Sequence, residues 1–327
     1  MDNNLYIIGI DLGGTNLKIS AYTFCHFHKL YEQRIPTRPK KGWEYVMNQI
    51  YDAILQLTAA LPGQKAVCIG IGIPGLLDIE KGISIFSSKF PKWENMPVAG
   101  WLKEKTGLPV YIDNDVRVNL YGEWFCGAGK HKENIVLLTL GTGIGAGIVI
   151  DGHVLYGTTA SAGEIGHMNM FRPGRPCRCG SNGCLGRYVS ASGILDTIKE
   201  KIAAGNSTII TKWTDGNPDK ITAKMISDAY DLGDSTAIDT MQEAGVILGY
   251  GLVNVINLFN PEILIIGGGM SAAGERLLQP AREIVKEHAL QVSRSHCEII
   301  TAQLGDGAGM LGAALYARQR FENGTRF

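Results

Sequence analysis

Three short glycine-rich segments, each directly after a run of apolar, strand-forming residues, constrain this chain more than any other feature of its sequence. They are Asp11-Leu-Gly-Gly-Thr15, Gly141-Thr-Gly143 and Gly267-Gly-Gly269. Glycine lets backbone amides converge on an anion, because no Cβ stands in the way. Any one of these segments is also compatible with an ordinary hairpin or strand-end turn, but three together predict contact with phosphate groups. None is followed by the Gly-Lys-Ser/Thr of a Walker A loop.

The pattern around these turns is that of an α/β chain. Leu5 to Ile10 and Leu17 to Tyr22 are predicted to form two strands of a hairpin with a glycine tip. Apolar residues at helical spacing predict a helix over 42–61, and a strand over 66–73 follows. A second strand, glycine turn and strand unit over 134–150 opens the second half, so a weak internal repeat is predicted.

Length and charge narrow the class of protein. The 327 residues are about twice the length of a typical domain, so we expect two lobes with a cleft between them. The 31 basic and 31 acidic residues cancel, which disfavours nucleic acid or an anionic membrane as a partner. No apolar stretch reaches membrane-spanning length, and the N-terminus does not resemble a secretory leader. We therefore expect a soluble, cytoplasmic protein that acts on a small molecule.

A cluster of His167, Cys177, Cys179 and Cys184 is the clearest site in the sequence. One imidazole and three thiolates are typical of tetrahedral Zn²⁺, whereas free buried thiols are the alternative. Four protein ligands leave no position for a reacting water, so the zinc would be structural. Zinc on one imidazole nitrogen of His167 would orient the ring, so that its other nitrogen and Glu164 could meet one ligand.

The candidate nucleotide-binding residues lie in and beside the glycine turns. Asp11 could orient a hydrated Mg²⁺, while Thr15 and nearby amides contact phosphates. The turn at 141–143 would supply a facing clamp, and the turn at 267–269 would let a flat base approach the backbone. The full set is Asp11, Gly13, Gly14, Thr15, Lys18, Gly141, Thr142, Gly143, Gly267, Gly268 and Gly269.

Asp115 follows a predicted strand over 108–112 and precedes a predicted helix. From its position alone it is either a general base that accepts a hydroxyl proton or a cap for that helix. Its neighbour Asp113 is interpreted as a solvated or capping residue.

Taken in order, these motifs resemble the ROK family of sugar kinases, within the actin/hexokinase-like ATPase superfamily. The resemblance covers nearly the whole chain and rests on Asp11-Leu-Gly-Gly-Thr15, Gly72-Ile-Pro-Gly75, Asn114-Asp115, Leu140-Gly-Thr-Gly143, Glu164-Ile-Gly-His167, Cys177-Arg-Cys-Gly180, Gly183-Cys184 and Ile266-Gly-Gly-Gly269. It implies an α/β, two-lobed actin-like (ribonuclease H-like) fold with an interlobe active-site cleft. The expected N-terminal lobe is 1–117, completed by a C-terminal helix over 308–327. The expected C-terminal lobe is 118–307, with a zinc loop at 163–190.

The resemblance also implies an activity: transfer of the γ-phosphoryl group of MgATP to a hexose or modified hexose, with the 6-hydroxyl as the expected acceptor. Asp115 matches the general base of these kinases. The expected sugar-contacting residues are Gly75, Lys89, Asn114, Glu164 and His167. ATP, Mg²⁺ and a structural Zn²⁺ are the implied cofactors, and a homodimer or homotetramer is the implied assembly.

Three positions depart from the family pattern. Gly186 stands where members acting on glucose or N-acetylated hexosamines usually carry Glu, Lys89 stands at a sugar-binding Asn, and Arg117 replaces a small or neutral residue. One interpretation is drift at positions directed away from the substrate. The other is an acceptor modified near C1 or C2, such as a β-glucoside or an amino or acidic sugar, with Lys89 buried and paired to an anionic group on that sugar.

Two functions without catalysis remain as alternatives. ROK members also include sugar-sensing repressors, but those carry an N-terminal helix-turn-helix, and here the first predicted strand begins at Leu5. A pseudo-kinase scaffold is disfavoured because Asp11, Asp115 and the phosphate turns are all present. The apolar helix predicted over 240–259 is either protein core or a dimer contact.

Overall fold

The structure is a computed structural model that describes residues 4–323, a mixed α/β chain. Its strands are β1 (Leu5–Leu12), β2 (Asn16–Thr23), β3 (Lys29–Pro36), β4 (Lys65–Ile73), β5 (Leu76–Asp78), β6 (Ile83–Phe86), β7 (Glu94–Met96), β8 (Val110–Asn114), β9 (Ile135–Leu140), β10 (Ile144–Ile150), β11 (His153–Val154), β12 (Ile263–Gly267) and β13 (Glu298–Thr301). Its helices are α1 (Trp43–Ala59), α2 (Val98–Thr106), α3 (Asp115–Cys126), α4 (Gly186–Val189), α5 (Ala191–Ala203), α6 (Ile210–Trp213), α7 (Ala223–Asp231), α8 (Ser235–Phe259), α9 (Glu275–His288), α10 (Gln291–Arg294) and α11 (Ala308–Asn323).

The chain divides into two compact units. The first comprises residues up to 131, the returning segment 153–162 and the residues from 303 onward, and the second comprises 132–152 and 163–302. The expected boundary after residue 117 is corrected by the structure, since it falls inside helix α3. A boundary there would interrupt the hydrogen-bond ladder of a helix whose Val118, Leu120 and Tyr121 are buried in the first unit.

The main sheet of the first unit has the strand order β3-β2-β1-β4-β8. Strands β1 and β2 form the predicted hairpin, with Asp11 opposite Lys18. Strand β4 then pairs in parallel with β1, and β8 pairs in parallel with β4. Each parallel addition requires a crossover, which α1 provides before β4 and α2 provides before β8. A small antiparallel sheet, β5-β6-β7, lies between β4 and α2 in the sequence.

Helix α11 packs on this sheet at very short range. A Cβ added at Gly9 of β1 would lie 2.0 Å from the carbonyl oxygen of Met310, and one at Gly70 of β4 would lie 1.9 Å from that of Ala313. Helix α11 is as close to α3, because a Cβ at Gly312 would lie 1.6 Å from the carbonyl oxygen of Val118. Such approach is open only to glycine, so these positions fix α11 within the first unit.

The second unit repeats the pattern of the first, as the sequence predicts. Strands β9 and β10 form an antiparallel hairpin around the glycine turn at 141–143. Strand β12 pairs in parallel with β9, and β13 pairs in parallel with β12. The carboxyl ends of β9 and β12 therefore share one edge of the sheet, as do those of β1, β4 and β8 in the first unit.

The long apolar helix is longer than predicted and mostly buried, since α8 begins at Ser235. Gly245 and Gly249 bring it against Pro280 and Ile284 of α9, and Gly251 brings it against Leu185. It is thus a core helix of the second unit. Among residues 4–323, no helix combines the length and apolar character needed to cross a membrane.

Candidate functional site

The candidate site of the first unit is built at the carboxyl edge of its parallel strands. Asp11 at the end of β1 is in register with Gly72 of β4, and Gly72 is in register with Asp113 of β8. Ligand sites of parallel sheets lie at this edge, because the loops that leave the strands there can converge on a ligand. The edge therefore carries Asp11, the predicted Mg²⁺ ligand, at the end of β1, and Asp115, the predicted base, directly after β8.

Asp11 has a cationic neighbour on the adjacent strand. Lys18 Nζ lies 3.6 Å from Asp11 Oδ2 and 3.2 Å from Asp306 Oδ1, so this ammonium group bridges two carboxylates. Burial raises the pKa of the Asp11 carboxyl, and the charge of Lys18 opposes that increase. Hard carboxylate oxygens of this kind are the donors that Mg²⁺ prefers, so Asp11 fits its predicted role.

Asn114, and not Asp115, is the N-cap of helix α3. Asn114 Oδ1 accepts a hydrogen bond from the Val116 amide at 2.9 Å, and its Nδ2 donates to the Gly75 carbonyl at 3.2 Å. The amide group retains a second proton on Nδ2, which can serve a further acceptor. Asp115 occupies the first helical position, and its Oδ1 also accepts from Val116, at 3.1 Å.

The other oxygen of Asp115 meets Lys89. Lys89 Nζ donates to Asp115 Oδ2 at 3.3 Å. The aliphatic part of the Lys89 side chain packs on the turn at Gly13 and Gly14, where a Cβ at Gly14 would lie 3.3 Å from the Lys89 Cβ. The expectation that Lys89 is buried is corrected, because the side chain is 50% exposed and has a carboxylate partner within the protein. An exposed pair of this kind contributes only about 0.2–1 kcal/mol, so Lys89 can leave Asp115 at little cost.

Asp113 and Arg117 are not where sequence reasoning put them. Asp113 is interpreted from sequence as solvated or capping, but its side chain has no exposed surface, and it accepts from Arg117 Nε at 2.6 Å. Arg117 is buried with it, and the Asp113 carboxylate balances its charge, so the pair adds no net positive charge to the site. Asp113 is the second-last residue of β8 and Arg117 lies in the first turn of α3, so the change from strand to helix brings the two side chains together.

The glycine turns of the second unit lie at the shared edge of its sheet. In the turn at 141–143, the Gly141 amide donates to the Gly143 carbonyl at 2.9 Å. Two groups at the start of α5 hold the turn, since the Ala191 amide donates to the Gly141 carbonyl and Ser192 Oγ donates to the Thr142 carbonyl, each at 2.9 Å. These bonds fix the turn through its carbonyl groups.

The glycines of the second unit divide into those that the fold requires and those that it does not. Gly268 has a φ of +82°, and a Cβ there would lie 2.4 Å from the Leu140 carbonyl oxygen, so the fold itself requires glycine. Gly143 and Gly269 have neither constraint, since a Cβ at either would meet no atom within 4 Å. Glycine at these two positions is therefore explained better by a ligand that approaches the backbone than by packing.

The predicted zinc residues converge in the second unit. One ligand atom from each of His167, Cys177, Cys179 and Cys184 lies within 4.8 Å of the others. Cys179 Sγ is 3.7 Å from Cys184 Sγ, and Cys177 Sγ is 3.6 Å from His167 Nδ1. A tetrahedral zinc with ordinary bond lengths would set these edges at about 3.8 Å and about 3.6 Å, so the donor set fits the ion.

The thiols of this cluster differ in acidity. Hydrogen bonding from the Ser181 amide, then from Cys177, lowers the pKa of Cys179 to about 7, whereas burial raises the pKa of Cys184 to about 12. A bound dication would favour the thiolate at both positions.

His167 presents its second nitrogen to Glu164. Its Nδ1 meets the cysteines, and its Nε2 lies 3.9 Å from Glu164 Oε2. Glu164 and His167 are both exposed, so both can reach a ligand. Gly186 lies against the same turn, because a Cβ there would be 3.3 Å from the Gly166 carbonyl oxygen.

The sequence reasoning missed two residues of the first unit. Asp306 contacts Lys18 Nζ, and the signal for it was its position between Gly305 and Gly307 directly after the region of β13. Tyr156 donates to Asp113 Oδ2 at 2.8 Å, and no local pattern marks it.

Together, the fold and the site define an α/β chain of the actin-like ATPase class. The ROK family profile matches residues 7–320, and the chain belongs to that family. Among its relatives is the glucokinase of Thermotoga maritima, 37% identical over 97% of this chain and 98% of the relative. This confirms the resemblance drawn from the sequence.

Solved structures of both functional branches of the family are similar. A ROK family glucokinase from Streptomyces griseus in complex with glucose and AMPPNP has a TM-score of 0.79 and 32% identity, with 96% of this chain and 99% of that one covered. A ROK family transcriptional regulator, a homologue of the E. coli MLC protein, has a TM-score of 0.86 and 29% identity, with 98% of this chain but 79% of that one covered.

Proposed function

We propose that this protein is an ATP-dependent sugar kinase that phosphorylates a hexose or modified hexose, with the 6-hydroxyl as the expected acceptor. The observation that carries the proposal is the placement of Asp11 and Asp115 at one edge of one sheet, beside the turn at Gly13 and Gly14. Phosphoryl transfer needs a metal-orienting carboxylate and a second carboxylate for the attacking hydroxyl, and these two positions supply both.

Asp115 would act as the general base through Oδ2. Its Oδ1 is held by the Val116 amide at 3.1 Å, which fixes the orientation of the carboxylate at the start of α3. Oδ2 would accept the hydroxyl proton as the sugar oxygen attacks the γ-phosphorus. Asn114, Gly75, Glu164 and His167 would hold the sugar, as the family resemblance implies.

The cofactor assignments follow the same residues. Asp11 would orient a hydrated Mg²⁺, which supplies charge neutralisation for the phosphates when bound. Gly13, Gly14, Thr15, Lys18 and the turns at 141–143 and 267–269 would contact the nucleotide. Zinc on the three cysteines and His167 Nδ1 would be structural, and it would fix the ring whose Nε2 lies beside Glu164.

The contact between Lys89 and Asp115 bears on the acceptor. An incoming hydroxyl has to share or displace the Lys89 ammonium at Asp115 Oδ2, and a sugar with an acidic group near C1 or C2 would give that ammonium a new partner. Gly186, beside the turn that carries His167, has no side chain where members acting on glucose usually carry Glu. These two features favour a modified sugar over plain glucose.

A sugar-sensing regulator is the second candidate function, because the similar transcriptional regulator has the same fold. The two functions differ in turnover, since a regulator would bind sugar without consuming ATP.

A sugar panel tests the proposal, with glucose, a β-glucoside, an amino sugar and an acidic sugar assayed for ATP-dependent phosphorylation. Asp115→Asn should lower kcat by about 10²–10⁴-fold, because the amide cannot accept the proton. Asp78→Asn is the matched control, since Asp78 also pairs with a lysine, Lys81, at 3.0 Å but lies outside the site. Sugar binding without turnover on every acceptor would indicate the regulator, and full activity of Asp115→Asn would exclude the assigned base.

A further inference from the structure

A buried carboxylate with three hydrogen bonds, Asp113, lies two residues before the proposed base. The Asp113 carboxylate accepts three hydrogen bonds: from the Asn114 amide at 2.6 Å, from Arg117 Nε at 2.6 Å and from the Tyr156 hydroxyl at 2.8 Å. Asp113, Arg117 and Tyr156 are all almost fully buried. None of the three is among the residues proposed to bind the substrate or a metal.

These bonds join two pieces of chain that are far apart in sequence. Asn114 is the N-cap of α3, so the Asp113 carboxylate holds the backbone at the point where the base-bearing turn begins. Tyr156 belongs to the segment 153–162, and Arg117 reaches the same segment through a second group, since its Nη1 donates to the Ala160 carbonyl at 2.8 Å. The guanidinium thus holds Asp113 with one nitrogen and the segment with another.

The segment so held is a compact loop. The Ala162 amide donates to the Tyr156 carbonyl at 3.0 Å, which closes the loop, and Ala160 has a φ of +54°. The Arg117 guanidinium carbon lies 5.0 Å from the centroid of the Tyr156 ring. Arg117 therefore contacts the loop both through its hydrogen bond to Ala160 and through a cation–π contact with Tyr156. The chain continues from Ala162 directly into Gly163 and Glu164.

The charge states of Arg117 and Tyr156 are fixed. Burial lowers the pKa of Arg117, but the charge of Asp113, its hydrogen bond to Arg117 and the nearby tyrosines together raise that pKa overall, while burial raises the pKa of Tyr156. Arg117 is therefore cationic and Tyr156 is a neutral donor at every pH at which the protein would be assayed.

We propose that Asp113, Arg117 and Tyr156 form a positioning network, which fixes the first turn of α3 to the loop 156–162 and thereby sets the placement of Asp115. This inference rests on the proposed function for the role of Asp115, but not for the mechanical link itself. Arg117 is a positioning residue here, and its departure from the family pattern is explained by the loop that it holds. A displacement of the base by about 1 Å is enough to cost about a hundredfold in rate.

Two conservative variants test the link without leaving an uncompensated buried charge. Arg117→Lys keeps the positive charge for Asp113, but a single ammonium lacks the fork that also reaches Ala160. Tyr156→Phe keeps the ring and removes only the hydroxyl. The matched controls are Arg320→Lys, at a buried arginine paired with Glu80 at 3.1 Å, and Tyr6→Phe, at a buried tyrosine bonded to Thr58 at 3.5 Å.

Two measurements are made on the full-length variants. Amide hydrogen exchange should accelerate in the peptides covering 113–120 and 156–162 in the two test variants and not in the controls. With the best acceptor, kcat should fall about ten- to a hundredfold while KM for ATP stays within about twofold. A structural role alone would lower Tm in test and control variants alike and leave kcat unchanged.

The outcomes separate the inference from the proposed function. Unchanged exchange in both peptides overturns the link, whether or not the protein is a kinase. Faster exchange with unchanged kcat overturns the positioning role. If the wild-type protein phosphorylates no acceptor, the proposed function fails, and the positioning role of the network in catalysis fails with it, whereas the exchange data still decide the link.

Discussion

Loss of one zinc ligand is the perturbation whose effect can be worked out most fully from the structure. Cys179→Ser replaces a thiolate at one vertex of the cluster, where Cys179 Sγ lies 3.7 Å from Cys184 Sγ. Structural zinc sites contribute roughly 10–16 kcal/mol in apparent binding free energy. Shared over four ligands, this is about 3 kcal/mol for each, so the variant should bind zinc at least about a hundredfold more weakly.

The pH dependence of zinc binding follows from the two thiols with shifted pKa values. At pH 7 the Cys184 thiol, with a pKa of about 12, is protonated in the metal-free protein and must release its proton on binding. Zinc affinity should therefore fall about tenfold for each unit of decrease in pH from this proton alone. Below pH 7 the Cys179 thiol, with a pKa of about 7, is also protonated, so the dependence should become steeper.

Elemental analysis and competition with a chromophoric chelator between pH 6 and pH 8 measure both effects. The wild-type protein should carry about one zinc per chain. Cys297→Ser is the matched control, because Cys297 is a partly buried cysteine outside the cluster. If Cys179→Ser kept its zinc with wild-type affinity, or if affinity were flat from pH 7 to pH 8, the assignment of these ligands would be refuted.

Two further predictions concern the glycine turns and Lys89. Gly143→Ala adds a Cβ that would meet no atom within 4 Å, so it should leave Tm unchanged and raise KM for ATP. Gly268→Ala adds a Cβ at a positive φ and 2.4 Å from the Leu140 carbonyl oxygen, so it should cost at least about 1–2 kcal/mol of stability and lower Tm by several degrees. Equal effects of the two variants on Tm would contradict this distinction. Lys89→Met keeps an apolar side chain against Gly14 and removes the ammonium group that contacts Asp115. Tm should therefore stay within about 2 °C of the wild-type value, while kcat/KM should fall for acidic sugars relative to neutral ones. A uniform change across the sugar panel would count against a role for Lys89 in acceptor choice.

Much of the fold was predictable because its signals are local. The hairpin of β1 and β2, the turns that follow β1, β9 and β12, and helix α8 are each marked by alternation, helical period or glycine within a short stretch of chain. The boundary between units was not predictable, because the first unit is assembled from three separate parts of the chain. The sequence showed which segments would be strands and helices, but gave no signal that 153–162 returns to the first unit.

The candidate site divides in the same way. The convergence of His167, Cys177, Cys179 and Cys184 could be predicted from the sequence, because the four residues are spaced as in a metal-binding loop. The partner of Lys89 could not, since Asp115 lies on a different element and the pair forms only when the segments meet.

The sequence by itself determined the α/β pattern, the family, and the places of the glycine turns and of the candidate metal ligands. Each of these features depends on short-range spacing and on backbone sterics. Only the tertiary structure decided that Asp113 is buried next to the proposed base, that Arg117 pairs with Asp113, and that Asp306 shares Lys18 with Asp11. The physical reason is that the environment of a charged side chain depends on its partner and on its burial away from water. Both depend on segments brought together by packing, and no local pattern encodes them.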